Sequence, residues 1–509
     1  MKQRLADYVA DFLANKGVTD VFSVVGGGAM HLNDAFGHHE GLKVTYNHHE
    51  QACAIAAEAY ARLDNKIAAV CVTTGPGGTN AITGVLGGWL DSIPMFIVSG
   101  QVRYDTTARY ALQYTGTPLR AMGDQEYDIV KSVTPMTKYA VMVEDPQTIR
   151  YVLEKAWHLA TTGRPGPVWV DIPVNYQGMF IETDTLQGYC PDEDDALLPP
   201  AVDAATIETI IEKIKNAKRP VFHAGYGIRL SGAFDTFRKV LEKLDNAVTD
   251  TVFNDNAWLD KCRYWKENYP VVLPRQKEEN GKTANVYAFV DYLSSRLPEN
   301  SLTAVSNGAC CVVGHQAYVI QKGSRFANNS AVASMGYGLP AAIGTCIGGG
   351  RKETICLEGD GSIMMNLQEL QTILTNRLPI KIFMINNNGY HSIRLTQTNL
   401  FSHHCKVGIG EESGDLSFPE FKKIAEAFGY PYYSASSNAE MQKVVDQVLS
   451  QEGPVFCEIF TDTQQVWEPK SSTKRLPDGT LVSPPLEDLA PFLPREELKE
   501  QMFIPMMEQ

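Results

Sequence analysis

The chain has 509 residues, enough for about three domains of ordinary size. Hydrophobic residues make up 44% and charged residues 20%, close to globular averages, which excludes disordered, fibrous and coiled-coil proteins. Lys and Arg number 45 against 59 Asp and Glu, a net charge of −14 without a basic run, so binding to nucleic acid is not expected.

The N-terminal segment and the cysteines indicate a cytoplasmic protein. Leu5, Val9 and Leu13 share one helical face, which is typical of an amphipathic helix and not of a signal peptide. No apolar stretch reaches about 18 residues, so no membrane association is expected. The ten cysteines are scattered without a C-x-x-C pair, as in cytoplasmic proteins whose thiols stay reduced and mostly buried.

Residues 1–185 alternate short apolar runs with segments of helical periodicity, such as the helix predicted over Gln51–Arg62. Apolar runs separated by helices predict an α/β fold in which a doubly wound parallel sheet is covered on both faces. The predicted strands are Leu42–Tyr46, Ala68–Val72, Met95–Val98 and Val168–Ile172.

The same order of strand and helix returns in residues 276–509 and predicts a second doubly wound parallel-sheet domain. Helices are predicted over Leu367–Asn376 and Phe418–Phe428. The tail from Pro469 to Gln509 is too rich in proline for a long helix, so we expect it to wrap the surface and to supply any lid over a site. The predicted strands are Thr303–Val305, Thr354–Leu357, Ile380–Ile385 and Val455–Ile459.

The middle of the chain, residues 186–275, is short. Its first part, Gln187–Ala201, is rich in Pro and Asp and is typical of a linker. A βαβ unit takes about 30 residues or more, so the remainder has room for two or three strands, one of them Pro220–Ala224. The middle is therefore predicted to be a shortened α/β domain.

Two polar clusters follow neighbouring apolar strands of the last domain. Gly359-Asp360-Gly361-Ser362 comes after one strand, and Asn386-Asn387-Asn388-Gly389 ends the next. Ligands of parallel sheets bind at the carboxyl edge, where both clusters would lie. Carboxylate and amide oxygens suit Mg²⁺, and amides at a helix start can receive a phosphate. Either cluster alone would more often be a turn, but their pairing at this spacing favours a site.

The paired clusters resemble the diphosphate and Mg²⁺ motif of thiamine diphosphate enzymes. Further segments resemble the acetolactate synthase-like members of that family, over both flanking domains. These segments are Asn47–Arg62, Thr74–Asn80, Asp91–Pro94, Gly163–Pro167, Asp171–Pro173 and Ser334–Ala342.

This resemblance implies a pyrimidine-binding domain in 1–185 and a diphosphate-binding domain in 276–509, with thiamine diphosphate and Mg²⁺ as cofactors. It also implies a cofactor that lies between subunits, so that a homodimer is the minimum active unit, and a homotetramer is expected. Glu50 would hydrogen-bond the pyrimidine ring nitrogen, and Met335 would press on the bent cofactor. The implied cofactor-binding residues are Glu50, Ala333, Met335, Gly359, Asp360, Gly361, Ser362 and Asn387. The implied metal ligands are Asp360, Asn387 and the carbonyl of Gly389.

Three features depart from acetolactate synthases. Thr396 stands where those enzymes carry a Trp that shapes the choice of acceptor, which leaves room for a larger or more polar one. Gly308-Ala309-Cys310 replaces their Gly-Gln-His near the diphosphate. The short middle lacks room for their flavin-binding domain, so FAD is not expected.

Four segments resemble thiamine diphosphate enzymes of bacterial surface-polysaccharide gene clusters, namely Gly26–Ala35, Ser392–Gln397, Glu468–Ser472 and Arg475–Gly479. The function implied is decarboxylation of a pyruvate-like 2-keto acid and carboligation of the two-carbon unit to a carbonyl acceptor such as a keto-sugar nucleotide. The alternatives are an acetolactate synthase, a simple 2-keto acid decarboxylase, an acyloin-type lyase and, in another class, a non-catalytic cofactor-binding subunit.

Three more residues are candidates for chemistry. His31 follows a glycine-rich turn and His391 follows the metal loop, so either could act as a proton shuttle, the alternative being a structural hydrogen bond. Gln101 ends a predicted strand and matches a family position near the substrate channel.

Overall fold

A computed structural model describes the chain except residues 196–197, 199, 218–220, 249–255, 402, 472, 476–477, 503 and 507–509. The strands are β1 Lys2–Arg4, β2 Asp20–Ser23, β3 Lys43–Tyr46, β4 Ala69–Val72, β5 Met95–Gln101, β6 Tyr139–Met142, β7 Pro167–Pro173, β8 Phe180–Glu182, β9 Leu302–Val305, β10 Arg325–Ala327, β11 Thr354–Gly359, β12 Ile380–Asn386, β13 Tyr432–Ala435, β14 Val455–Phe460, β15 Lys474–Arg475 and β16 Leu481–Val482.

The helices fall into three groups along the chain. Those of the first domain are α1 Leu5–Asn15, α2 Met30–His38, α3 Glu50–Asp64, α4 Pro76–Leu90, α5 Ala108–Thr115, α6 Ile129–Val133, α7 Ile149–Thr161 and α8 Val174–Gln177. Those of the middle are α9 Ala204–Asn216, α10 Gly227–Leu230, α11 Phe234–Val248, α12 Asn256–Asn268 and α13 Pro274–Lys277. Those of the last domain are α14 Val286–Arg296, α15 Ala309–Ala317, α16 Gly338–Gly348, α17 Asp360–Ile363, α18 Glu369–Thr375, α19 His391–Thr396, α20 Phe421–Phe428, α21 Asn438–Leu449 and α22 Arg495–Gln501.

Two six-stranded sheets organise the molecule, one in each flanking domain. The first has the order β3-β2-β4-β5-β7-β6 and the second the order β10-β9-β11-β12-β14-β13, with every pair parallel. Strands β4, β5 and β7 of the first sheet are buried along their whole length, and β11 and β12 of the second along all but their last residue, because helices cover both faces. Both predicted doubly wound domains are confirmed, and every strand predicted in them forms.

Helices α3 and α16 join the two sheet domains within the chain. Where the two helices meet, both carry mostly small side chains that are completely or almost completely buried. These residues are Ala54-Ile55-Ala56-Ala57 in α3 and Ala341-Ala342-Ile343-Gly344 in α16. Small residues let two helix backbones approach closely. One hydrophobic cluster therefore runs from the first sheet through α3 and α16 into the second sheet.

The middle differs from the prediction of a shortened α/β domain. Its described residues between 200 and 277 form helices α9 to α13 and pair in no strand of either sheet. The strand predicted over Pro220–Ala224 is wrong for Val221–Ala224, while Pro220 lies outside the described residues. Val221 and Phe222 are exposed, since no neighbouring strand satisfies their backbone.

The tail beyond β14 forms a short ladder of β15 and β16 and the seven-residue helix α22, so the expectation that it holds no long helix is confirmed for its described residues. All ten cysteines are free, six of them buried. Across the described residues, no helix has both the length and the apolar composition needed to cross a membrane.

Candidate active site

The two polar clusters of the last domain meet at one sheet edge. Strand β11 runs parallel to β12, with Gly359 opposite Ile385, so the residues that follow both strands emerge side by side. Asp360 begins the short helix α17, and Asn387 comes directly after β12. The predicted convergence therefore occurs at the carboxyl edge of the second sheet.

The Asp360 carboxylate is almost completely buried and faces the loop after β12. Its Oδ1 accepts from the backbone N–H of Gly361 at 2.8 Å, and its Oδ2 accepts from that of Gly389 at 2.8 Å. Burial raises the pKa of Asp360 to about 7, because few charges nearby compensate for the loss of water. A cation beside this carboxylate would remove that penalty.

The side-chain oxygen of Asn387 supplies the second feature of a cation site. Asn387 Oδ1 is buried and accepts no hydrogen bond within the described residues, although a buried amide oxygen normally has a partner. A carboxylate, an amide oxygen and a backbone carbonyl are hard ligands of the kind Mg²⁺ takes. Asp360, Asn387 and the Gly389 carbonyl therefore fit the predicted metal.

The loop between these ligands has an unusual backbone. Asn388 has φ +56° and Gly389 has φ +127°, two successive residues in the region that L side chains rarely adopt. A Cβ built on Gly389 would collide with the carbonyl oxygen of Ile409. Position 389 therefore requires glycine, and the turn aims both its N–H and the Asn387 side chain toward the sheet edge.

The residues predicted to hold the diphosphate are partly occupied by contacts within the protein. The Gly361 amide donates to Asp360, as above, while Ser362 Oγ lies 2.8 Å from Ser306 Oγ and accepts from the Gly336 amide at 2.9 Å. These bonds tie the loop after β9, the turn before α16 and helix α17 together. The Ser362 side chain thus shapes the site, and its contact with a phosphate stays a prediction.

A cavity of about 380 Å³ lies above this edge. Ala333, at φ +49°, and Met335, which is 39% exposed, form one wall, and Asp360 and Asn387 form the floor. An apolar side chain that projects into an open cavity is what a cofactor-pressing role requires, and that role for Met335 stays a prediction. A larger cavity of about 680 Å³ lies elsewhere, between the end of α3 and Arg325, and includes none of these residues.

Glu50 lies at the other sheet, at the start of α3. His49 caps the helix by accepting from the Gln51 amide at 3.2 Å, and the Asn80 side chain donates to Glu50 Oε2 at 3.0 Å. A Cβ built on Gly77, at the start of α4, would lie 2.8 Å from the Thr73 side chain and 3.7 Å from Glu50 Oε1. Every residue that lines the 380 Å³ cavity lies between 307 and 393, so Glu50 of the same chain does not line it.

The segment that carries Glu50 is nevertheless held by the last domain. Glu369 accepts from the Asn47 side chain at 2.8 Å and from the His48 amide at 3.0 Å. Asn366 donates both to Gln51 at 3.1 Å and to the carbonyl of Gly336 at 2.8 Å, next to Met335. The positions of Glu50 and Met335 are thereby fixed through one polar network.

Gln101 and His31 lie away from the cavity. Gln101 is buried, donates to Asp171 Oδ2 at 3.0 Å and accepts from Thr74 at 2.6 Å, which commits its amide to the interior. The ring of His31 lies against Gly178: a Cβ there would be 2.9 Å from Nε2. The hydrogen bonds of Gln101 favour a structural role for that residue. The role of His31 as a proton shuttle stays a prediction, because His31, like Glu50, belongs to the first domain, and no residue of that domain lines the cavity of its own chain.

His391 lines the cavity, but both of its ring nitrogens have partners. Nδ1 lies 3.0 Å from Nη1 of Arg394, and since a guanidinium only donates, Nδ1 accepts. Nε2 then carries the proton and donates to the carbonyl of Gln465 at 2.6 Å. Burial lowers the pKa of His391, which keeps the ring neutral. The geometry favours the structural alternative to a proton shuttle.

Sequence reasoning missed three residues that shape this region, namely Arg394, Glu369 and Asp171. Arg394 is almost completely buried among the carbonyls of the metal loop, and Glu369 is completely buried beneath Asn47. For Asp171 the available signal was a charged residue inside the otherwise apolar strand β7, which requires a partner when buried. The helices that carry Arg394 and Glu369 are of mixed composition and give no such signal.

Two family models match the chain. The thiamine pyrophosphate enzyme N-terminal TPP-binding domain matches residues 3–118, and the corresponding C-terminal TPP-binding domain matches residues 306–459. Glu50 falls in the first match, and Met335, Asp360 and Asn387 fall in the second.

Relatives cover almost the whole chain at low identity. Acetolactate synthase 2, chloroplastic, of Nicotiana tabacum is 25% identical over 90% of this chain and 82% of its own length. The acetolactate synthase isozyme 1 large subunit of Escherichia coli strain K12 is 24% identical over 90% of this chain and 94% of its own. The alignment with the tobacco protein spans 566 positions, more than the 509 residues of this chain, so that relative has segments without a counterpart here.

Two parallel-sheet domains with these matches define a thiamine pyrophosphate enzyme. Within that family, the chain is an acetolactate synthase-like, thiamine diphosphate-dependent enzyme of the carboligase and transferase class.

Proposed function

We propose that the enzyme decarboxylates a pyruvate-like 2-keto acid and joins the resulting two-carbon unit to a polar carbonyl acceptor, with a keto-sugar nucleotide as the specific candidate. Binding of the metal and cofactor is supported by two buried side chains at the sheet edge. Asp360 has a raised pKa, and Asn387 has a side-chain oxygen that accepts no hydrogen bond within the described residues. When bound, thiamine diphosphate supplies a nucleophilic carbon that stabilises negative charge after loss of CO₂.

The chain's own residues have separate roles in this proposal. Asp360, Asn387 and the Gly389 carbonyl hold Mg²⁺, and the cavity wall at Met335 excludes water and orients the reacting groups. Glu50 exchanges a proton with a ring nitrogen, and Asn80 holds its Oε2 in place at 3.0 Å. Ser392 lines the cavity, and the hydroxyl of Thr396, one helical turn further along, donates to the Ser392 carbonyl at 3.0 Å.

We further propose that a site is completed by two copies of the chain, with Glu50 of one copy at the cavity of the other, in a dimer or tetramer in the cytoplasm. The cavity lined by residues 307–393 alone, with Met335 exposed in it, supports this arrangement. Mixing a Glu50→Gln protein with an Asp360→Asn protein tests it. Each mixed dimer of two-fold symmetry then holds one intact site, so activity returns to roughly a quarter of wild type. If one chain supplied both residues to a site, mixing would restore nothing.

The reaction is tested by incubating the protein with thiamine diphosphate, Mg²⁺ and pyruvate, with and without a keto-sugar nucleotide. We expect CO₂ release that rises with the acceptor and a sugar product that gains the mass of the two-carbon unit. Acetolactate in the absence of the sugar would instead identify the acetolactate synthase alternative, which the names of the relatives favour. Free aldehyde would identify a simple decarboxylase.

A further inference from the structure

The guanidinium of Arg394 lies beneath the predicted cation site with nearly every donor in use. Nη1 donates to the carbonyl of Asn387 at 3.0 Å, and Nη2 donates to the carbonyl of Asn388 at 2.8 Å. Nε donates to Glu412 at 2.6 Å, and Nη1 also reaches His391. An arginine beside a diphosphate site would ordinarily be assigned to phosphate binding, but this one is directed at the protein backbone.

The two carbonyls that Arg394 holds, those of Asn387 and Asn388, belong to the peptide units that directly precede Asn388 and Gly389. Asn388 and Gly389 have φ values of +56° and +127°, and fixing the carbonyls of 387 and 388 fixes the peptide planes on either side of Asn388. That orientation turns the Gly389 N–H toward Asp360 and leaves Asn387 Oδ1 buried and unpartnered. The loop is thus held in the form that a cation needs before any cation arrives.

Three separate segments in turn hold Arg394 in place. Glu412 accepts from its Nε, the metal loop accepts from both Nη atoms, and His391 links it to the carbonyl of Gln465. The ring of His391 also packs on Trp467 at 5.4 Å between centroids. The arginine therefore has little freedom to swing toward a ligand in the cavity.

We propose that Arg394 is a positioning residue that preorganises the Asp360, Asn387 and Gly389 ligands for Mg²⁺ and contacts neither the diphosphate nor the substrate. The inference rests on the proposed function, since it concerns the same metal loop. Substitution of a residue that hydrogen-bonds to metal ligands without binding the metal itself typically lowers metal affinity by about 10- to 100-fold.

The test is calorimetric titration of Mg²⁺ into protein that holds saturating thiamine diphosphate, together with turnover at saturating Mg²⁺. Arg394→Met is expected to raise the half-saturating Mg²⁺ concentration about tenfold or more. Arg394→Lys is expected to give a smaller rise, because one ammonium cannot hold both carbonyls in the same geometry. Turnover by both variants is expected to recover toward wild type once Mg²⁺ saturates.

Two further variants keep the result interpretable if Arg394→Met does not fold. Glu412 accepts from Arg394 Nε and also lies 3.6 Å from His404 Nδ1, but it contacts none of the predicted metal ligands. Glu412→Gln should therefore shift the Mg²⁺ requirement in the same direction by a smaller factor. Arg296→Met removes an exposed ion pair with Asp446 in the same domain and should change nothing. Thermal unfolding without cofactor separates a loss of folding from a loss of metal affinity.

If Arg394→Met folds, a half-saturating Mg²⁺ concentration within twofold of wild type for that variant would overturn the inference. If it does not fold, the same result for both Arg394→Lys and Glu412→Gln would overturn it. So would a KM for the 2-keto acid that stays raised at saturating Mg²⁺, since this would place Arg394 against substrate. If the wild-type protein took up neither thiamine diphosphate nor Mg²⁺, the proposed function itself would fail, which is a different result.

Discussion

Gly344 of α16 faces the carbonyl oxygen of Ala56 in α3 so closely that a Cβ built at position 344 would collide with it. This contact lies where the two sheet domains join, inside the shared hydrophobic cluster. Helix backbones at such a distance have no space for even one extra methyl group unless they move apart.

Gly344→Ala is therefore expected to lower the free energy of unfolding by about 1–3 kcal/mol or more, because overpacking a rigid core forces backbone shifts. Chemical denaturation measures the change. Gly225→Ala, where an added Cβ meets nothing within 4 Å, is the matched control and should be near neutral. Equal effects from the two substitutions would contradict the packing described here.

The buried carboxyl of Asp171 makes stability depend on pH. It accepts from Ser99 at 2.6 Å and from Gln101 at 3.0 Å, and burial raises its pKa to about 7. Because the pKa in the folded state lies above that in the unfolded state, folding retains the proton between about pH 4 and pH 7. Raising the pH through this window should cost a few kcal/mol of stability, with no further loss from this group above it.

Asp171→Asn removes the titrating group while keeping its shape. Denaturation curves at pH 5 and pH 8 should show a smaller loss of stability on raising the pH in the variant than in wild type. Asp260→Asn, at an exposed ion pair, serves as the control and should keep the wild-type slope. Identical slopes for wild type and Asp171→Asn would contradict the assignment.

Replacing Asp360 by Asn should abolish most Mg²⁺-dependent retention of thiamine diphosphate. The substitution keeps the shape of the side chain but removes the negative charge that a hard cation requires. Retention after gel filtration with and without Mg²⁺ measures the effect, which we expect to exceed about tenfold. Retention equal to that of wild type would show that the cation lies elsewhere.

The C-terminal tail is expected to help keep the cofactor in place. The Gln465 carbonyl accepts from His391, and the Glu468 amide donates to the Tyr287 hydroxyl at 2.7 Å, so the start of the tail is fixed against the last domain. Truncation after Thr463 should therefore weaken the retention of thiamine diphosphate, measured after gel filtration. Unchanged retention by a folded truncated protein would exclude a lid made by the tail.

The two parallel sheets and the cation site at the carboxyl edge of the second sheet could be predicted because the sequence patterns that indicate them are local. Strand β12 carries the apolar run Ile382–Ile385 and ends in polar residues, and in a parallel sheet such ends share one edge. The cross-domain bond between Asn47 and Glu369 could not be predicted, since it joins positions 322 residues apart in the chain.

The failures have equally physical causes. A run such as Val221-Phe222 favours a strand only if a neighbour accepts its hydrogen bonds, and none of the described residues of the middle provides one. The partners of His391 and Gln101 depend on how loops return to the sheet edge, which periodicity does not encode. A buried histidine with two partners and a free one look the same in the sequence.

The most direct test of the account concerns the proton that Glu50 is proposed to move. Exchange of the reactive carbon-bound hydrogen of bound thiamine diphosphate for deuterium, followed by NMR after acid quench, measures that step apart from substrate. Glu50→Gln is expected to bind the cofactor and to slow the exchange at least about a hundredfold, while Glu40→Gln, on an exposed residue, should leave it unchanged. Exchange in Glu50→Gln at the wild-type rate, with cofactor bound, would contradict the account.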